Sequence, residues 1–136
     1  GMIYFGSFDH YLYALDSANG ELVWRFEAGD AILSSPVLHG GVVYVGSHDG
    51  NLYAVDASTG QEIWRFATDE EVKASPSIAG DMVFIASFDG RVYGLDSKTG
   101  AERWRFQTQN EVFSSPVPGD GVIYVGSDDG FVYALE

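Results

Sequence analysis

Apolar residues come along this chain in short bursts. Val42-Val43-Tyr44-Val45, Leu52-Tyr53-Ala54-Val55 and Ile63-Trp64-Arg65-Phe66 are β-branched and aromatic stretches, each closed within about ten positions by Gly, Asp, Ser or Thr. Bursts of this length and spacing predict an all-β meander, because an amphipathic helix needs apolar positions three and four apart over more than ten residues. Between residues 41 and 80 the pattern predicts four strands: Val42 to Ser47, Leu52 to Asp56, Glu62 to Ala67, and Ser75 to Ala79. Asp49-Gly50 supplies the first turn and Asp56-Ala57-Ser58-Thr59-Gly60 the second. In such turns glycine takes the positive φ and aspartate accepts turn amides.

The same pattern recurs every 40 residues without a gap, starting at Gly1, Gly41, Asp81 and Gly121, and the last copy runs for 16 residues. Ser7, Ser47, Ser87 and Ser127 coincide, as do Asp9, Asp49, Asp89 and Asp129, and Tyr13, Tyr53, Tyr93 and Tyr133. Asp16, Asp56 and Asp96 lead to Gly20, Gly60 and Gly100, and then to Trp-Arg-Phe at 24–26, 64–66 and 104–106. Ser35-Pro36, Ser75-Pro76 and Ser115-Pro116 follow. The chain therefore reads as one segment, 1–136, built from repeats 1–40, 41–80, 81–120 and a partial 121–136. A period of about 40 with four strands per unit is the signature of β-propeller blades. Both faces of Val42-Val43-Tyr44-Val45 are apolar, so each blade needs a neighbour on either side.

Ala54, Asp56, Thr59, Gly60 and Trp64 spell Ala-x-Asp-x-x-Thr-Gly-x-x-x-Trp. That is the tryptophan-docking motif of the pyrroloquinoline quinone (PQQ)-like propeller repeats, a family the chain resembles over essentially its whole length. The first copy departs at Asn19 and the third at Gly94. WD40 blades share the period, but their Gly-His and Trp-Asp landmarks are missing from this register. The resemblance implies that Trp24, Trp64 and Trp104 pack between blades near the neighbour's Gly turn. It implies blades of strands A to D from the channel outwards, with the Ser-Pro strand as A, and rings usually of eight blades. The chain then reads B-C-D, A-B-C-D, A-B-C-D, A-B-C: fourteen strands, about 3.5 blades, half a propeller. Its ends are expected to expose apolar blade faces, and a second copy joined head to tail would cover them and make eight blade positions; a single chain closing as a small four-bladed ring is the competing geometry.

Composition narrows the chemistry. Twenty acidic residues against seven basic ones give a charge of −13, which excludes general attraction to nucleic-acid phosphate. The absence of cysteine removes disulfides, thiolate nucleophiles and Cys-based metal sites. No apolar run approaches the length of a membrane span. The chain opens on a strand, so an export leader is expected to have been removed or never to have existed, while the resemblance favours a periplasmic or extracellular setting.

Eight of the acids sit at two repeat positions, Asp9, Asp49, Asp89, Asp129 and Asp16, Asp56, Asp96, Glu136, which reads as turn capping. Arg25, Arg65 and Arg105 alternate with the D-strand rings and are expected in interblade salt bridges or stacking. The fourteen aromatics at repeat positions are expected in the core. Histidines lie in turns, with His10 standing where other copies have Gly. Ser47-His48-Asp49 is a poor catalytic triad, being three neighbours on one hairpin.

Function in a propeller sits where the repeats differ. The B–C turn reads Phe8, His48, Phe88 and Asp128 across the copies, and the D–A loops carry Asp69, Glu70 and Glu71, with Leu33, Lys73 and Phe113 at one position beside strand A. These residues form the candidate binding face, and no catalytic, cofactor or metal residue is assigned. The family's dehydrogenases resemble one another in an adjacent-cysteine disulfide, a tryptophan under the quinone, and a calcium-holding Glu/Asn/Asp set. Nothing here matches those features residue by residue. The expectation is a non-enzymatic scaffold or protein-binding module without cofactor. The alternatives are a fragment of a quinoprotein dehydrogenase, predicting PQQ with calcium, and a propeller fragment with no activity of its own.

Overall fold

Gly- and Asp-bearing turns interrupt the chain so regularly that no segment is free to become a helix. The computed structural model describes residues 1–136 and contains fourteen strands in four antiparallel sheets. The first sheet holds β1 (Met2–Gly6), β2 (Tyr11–Asp16) and β3 (Leu22–Glu27). The second holds β4 (Val37–His39), β5 (Val42–Gly46), β6 (Asn51–Asp56) and β7 (Glu62–Ala67). The third holds β8 (Ser77–Ala79), β9 (Met82–Ala86), β10 (Arg91–Asp96) and β11 (Glu102–Gln107). The fourth holds β12 (Val117–Gly119), β13 (Val122–Gly126) and β14 (Val132–Leu135). Strand order follows chain order in every sheet, as the B-C-D, A-B-C-D, A-B-C-D, A-B-C reading requires.

The innermost strands are shorter than the sequence suggests. β8 begins at Ser77 instead of Ser75, because the Ser75 amide is donated to Ser115 Oγ (3.0 Å) and Pro76 has no N–H to give. Ser35 likewise donates its amide to Ser75 Oγ at 2.8 Å, so these serines join blade to blade around the axis. Pro118 is tolerated inside β12 because that strand is a sheet edge.

The core lies between sheets. Leu12, Ala14 and Trp24 of the first blade pack on Val43, Val45, Tyr53 and Val55 of the second. Tyr44, Leu52 and Ala54 of the second pack on Val83, Ile85, Tyr93 and Leu95 of the third. Each fully buried valine or leucine contributes roughly 1.5–3 kcal/mol, in clusters that span a blade boundary. The two ends lack that cover. Ile3 and Phe5, in the register of Val43 and Val45, are exposed, and at the other end Tyr124 is 45% and Val132 78% exposed where Tyr44 and Leu52 are buried. The expectation that repeat-position aromatics are core therefore fails at Tyr124, which has no following blade.

The arginines take the stacking role of the two expected. Arg65 and Arg105 form two-pronged ion pairs with Glu62 and Glu102 of their own strands, both nitrogens at 2.6 Å. They lie over Tyr53 and Tyr93 of the adjacent strand, and Arg25 lies over Tyr11. Stacking is present, while the salt bridges stay within a blade, each between residues three apart on one strand. His10 adopts φ 77°, the left-handed conformation of the glycines it replaces.

Candidate functional site

Hydrogen bonds bring the B–C turns and the D–A loops onto one face. The backbone amides of His48, Phe88 and Asp128 donate to the carbonyls of Ala31, Glu71 and Glu111 in the loop from the preceding blade. Ser47 Oγ donates to the same loop at Asp30 and Ala31, and Ser87 and Ser127 repeat the contact at Glu70/Glu71 and Asn110/Glu111. The role of these serines was not legible from the repeat, although their fixed register marked them.

On this platform four of the candidate residues meet. Lys73 Nζ sits 4.2 Å from the centroid of the Phe88 ring and pairs with Glu71, and Phe88 meets Phe113 at 5.6 Å between ring centroids. Phe113 is 56% exposed, so the cluster presents an aromatic surface with one cation at its base. Phe8 is 73% exposed and makes no ring contact with this group. The Glu70 side chain faces solvent while its carbonyl accepts from Thr68 Oγ1. Asp69 is held by Arg91 and donates its amide to Asp89, so it serves the scaffold. Asp128 is tied to the platform through its amide alone, and His48 Nε2 is buried without a partner.

The repeated turn aspartates do more than cap. Asp49 Oδ1 accepts the Asn51 amide at 2.8 Å, while Oδ2 accepts the Tyr53 hydroxyl at 2.5 Å and the Gly29 amide of the preceding blade at 2.7 Å. Asp89 and Asp129 repeat this arrangement with Asp69 and Gln109. Burial, reinforced by the carboxylates of Asp49 and Asp89, pushes the Tyr53 and Tyr93 hydroxyls up to about 12. Burial alone would raise Asp49, but the hydrogen bonds from Tyr53, Asn51 and Gly29 outweigh it and hold the carboxyl below its ordinary range. Ser47 and Asp49 are thus both engaged away from His48, and no triad forms.

The docking motifs assemble as read from the sequence in two of three copies. Trp24 Nε1 donates to the Ala57 carbonyl at 3.0 Å with its ring over Gly60, and Trp64 Nε1 donates to Ser97 at 3.2 Å with its ring over Gly100. Tyr4 and Tyr44 hydroxyls donate to the same two carbonyls. Asp56 and Asp96 hold these turns through the amides of residues 58–59 and 98–99, and Asp16 takes the Ala18 amide. Gly20 has no ring above it, and Trp104 has no turn beneath it.

No group of three or more His, Asp or Glu side chains is arranged to hold a metal ion, and no helix is long and apolar enough to cross a membrane. Four sheets in chain order, the first three linked by tryptophans on glycine turns, define a propeller segment of PQQ-like repeats. The chain belongs to the family described as outer membrane protein assembly factor BamB, whose model matches residues 9–136. The crystal structure of BamB from Moraxella catarrhalis is similar at 26% identity and a TM-score of 0.88, over 98% of this chain and 42% of that one. The computationally designed Ika8 matches at 20% identity and 0.88, again over 98% of this chain and 42% of that one. The designed Ika4 matches at 20% and 0.89, over 98% of this chain and 84% of that one. At 20% identity the likeness is one of fold. The chain thus spans about two-fifths of BamB and of Ika8. No curated protein matches the sequence.

Proposed function

We propose that this chain is a non-enzymatic scaffold that binds a protein through its loop face and completes its ring with a second copy. The observation that carries the ring is the complementarity of its two ends. Ile3, Phe5, Tyr13 and Leu15 occupy the positions of Val43, Val45, Tyr53 and Val55, while Tyr124, Val132 and Ala134 occupy those of Tyr44, Leu52 and Ala54. Two copies joined head to tail would bring these faces together as the internal blade boundaries do, with closed two-fold symmetry. The loop-face reading is supported by the exposed Phe8, Phe113 and the Lys73–Phe88 pair, since aromatic residues anchor protein interfaces.

The cofactor-free reading is supported by Trp24 and Trp64 being docked between blades and by Asp49, Asp56, Asp89 and Asp96 accepting turn amides. The family's description as an outer membrane assembly factor supports a periplasmic setting. Light scattering tests the ring: twice 14.8 kDa is expected, and a monodisperse species of 14.8 kDa overturns it. Titration with PQQ and calcium is expected to leave the visible spectrum of the quinone unchanged; saturable binding with dye-linked alcohol oxidation overturns the cofactor-free reading.

A further inference from the structure

A cavity of about 320 Å³ opens in the groove between the second and third blades. It is bounded by the β4–β5 and β8–β9 turns and by the turn from β10 to β11, so it lies at the strand ends opposite the loop face. Cavities of this size hold small molecules. Tyr44, Ile63 and Trp64 give it apolar walls. The Tyr44 hydroxyl and the Trp64 indole N–H both donate to the Ser97 carbonyl, so the polar atoms of these two rings are satisfied elsewhere. Ile63 reaches the cavity through a β-bulge: Ala54 pairs with Trp64 and Val55 with Glu62, which leaves Ile63 as the extra residue and re-aims its side chain. It is 48% exposed, and a bound ring would cover it.

The rim carries charge that nothing in the chain uses. His39 comes from the second blade, and Asp81 and Lys98 from the third. Arg103 donates to Asp81 at 2.7 Å and to Asp96 at 2.5 Å, so it holds the two carboxylates of this turn region and Lys98 forms no ion pair. The other basic side chains are all engaged: Arg65, Lys73, Arg91 and Arg105 in ion pairs, and Arg25 over the Tyr11 ring. The repeats differ at both rim positions. Ala18 and Ser58 stand in the register of Lys98, and Ala79 and Gly119 in that of His39, so the two basic groups meet at this blade boundary alone.

We propose that this cavity binds a small aromatic monocarboxylate. Its ring packs on Tyr44, Ile63 and Trp64, and its carboxylate accepts charge-assisted hydrogen bonds from the Lys98 ammonium and the His39 imidazole. An aromatic ring suits walls that are themselves largely aromatic. An anion suits a rim where the acids are already neutralised by Arg103 and an ammonium is left over. The site lies between two complete blades of one chain, so it depends neither on ring closure nor on the loop face.

The test is a titration of ¹⁵N-labelled protein with indole-3-acetate, and with the neutral indole-3-acetamide, followed through the indole N–H resonances. A saturable shift of the Trp64 resonance is expected with the carboxylate, with affinity at least tenfold weaker for the carboxamide. Lys98→Ser is expected to weaken carboxylate binding at least tenfold, and His39→Ala at least threefold. Both variants place in a turn the residue that another repeat carries there, Ser58 or Ala79, so the fold is expected to survive them. No saturable shift at Trp64, equal affinity for the carboxamide, or unchanged affinity in either variant overturns the proposal. The comparison of carboxylate with carboxamide uses the unaltered protein, so it does not depend on how either variant folds.

Discussion

The indole N–H of Trp24 donates to the carbonyl of Ala57, 3.0 Å away and 33 residues further along the chain. The same carbonyl accepts the Tyr4 hydroxyl, so one backbone oxygen of the second blade is gripped by two aromatic side chains of the first. The turn must come close to the ring for this grip, and Gly60 makes the approach feasible. It has φ 73°, and a Cβ there would lie 2.7 Å from the indole.

Gly60→Ala is accordingly expected to cost about 2–4 kcal/mol, combining left-handed backbone strain with overpacking against a rigid ring. Gly40→Ala, with φ 56° and nothing within 4 Å, is expected to cost only about 1–2 kcal/mol. Urea denaturation of the two variants measures the difference.

Tyr44→Phe removes the buried 2.9 Å hydrogen bond to the Ser97 carbonyl. The oxygen keeps its bond from Trp64, so the loss is expected to be about 1 kcal/mol without an orphaned acceptor. The third blade already carries Phe84 at this position. Phe84→Tyr is expected to add no stability, because no turn carbonyl stands opposite it.

Alkaline pH should weaken the protein through Tyr53 and Tyr93. Burial and the neighbouring aspartates raise both hydroxyls from 10 to about 12, so the folded state holds protons that the unfolded chain has released. Their contribution is complete below pH 10 and is lost as pH rises towards 12. Absorbance at tyrosinate wavelengths should show these two among the last of the eight tyrosines to ionise, with unfolding over the same range.

At the acid end Asp56 works in the opposite sense. Hydrogen bonds from the Ser58 hydroxyl, the Thr59 and Ser58 amides and the Thr59 hydroxyl lower its carboxyl to about 2, so its contribution is present above the ordinary carboxylate range and is lost as pH falls towards 2. Asp56→Asn is expected to flatten the acid limb of a stability–pH curve, read by thermal melts between pH 5 and 2.

Val132→Glu and Phe5→Glu place charge on the two exposed end faces. Neither side chain is in the core of a single chain, so both variants are expected to fold but to sediment as monomers where the parent is a dimer. A parent dimer that survives both changes would locate its interface elsewhere.

Strands, turns and blade count could be read from this sequence because they depend on contacts within a few residues. Alternating apolar faces, Asp-Gly turns and a 40-residue register place each strand before any long-range contact is known, and the innermost strands miss only by two residues, where Ser75 diverts its amide to Ser115. The docking tryptophans were legible too, as were the turn aspartates in part. Asp49 reads as a cap for Asn51, but nothing near it in the chain reveals that its other oxygen holds the Gly29 amide. Of the two roles open to Arg65, stacking is met over Tyr53, while its ion pair is with Glu62 of its own strand.

Tertiary structure alone decided which identical positions are equivalent and which are not. Tyr44 and Tyr124 share a register, yet one is buried and the other half exposed, because burial depends on whether another blade stands opposite. Trp104 carries the same motif as Trp24 and Trp64 but faces a pocket. The sequence by itself determined the repeated unit, since local periodicity suffices for that. The Lys73–Phe88–Phe113 cluster and the hold of Asp49 on the Gly29 amide emerged only from the stacked arrangement, because each depends on atoms that are near in space and far along the chain.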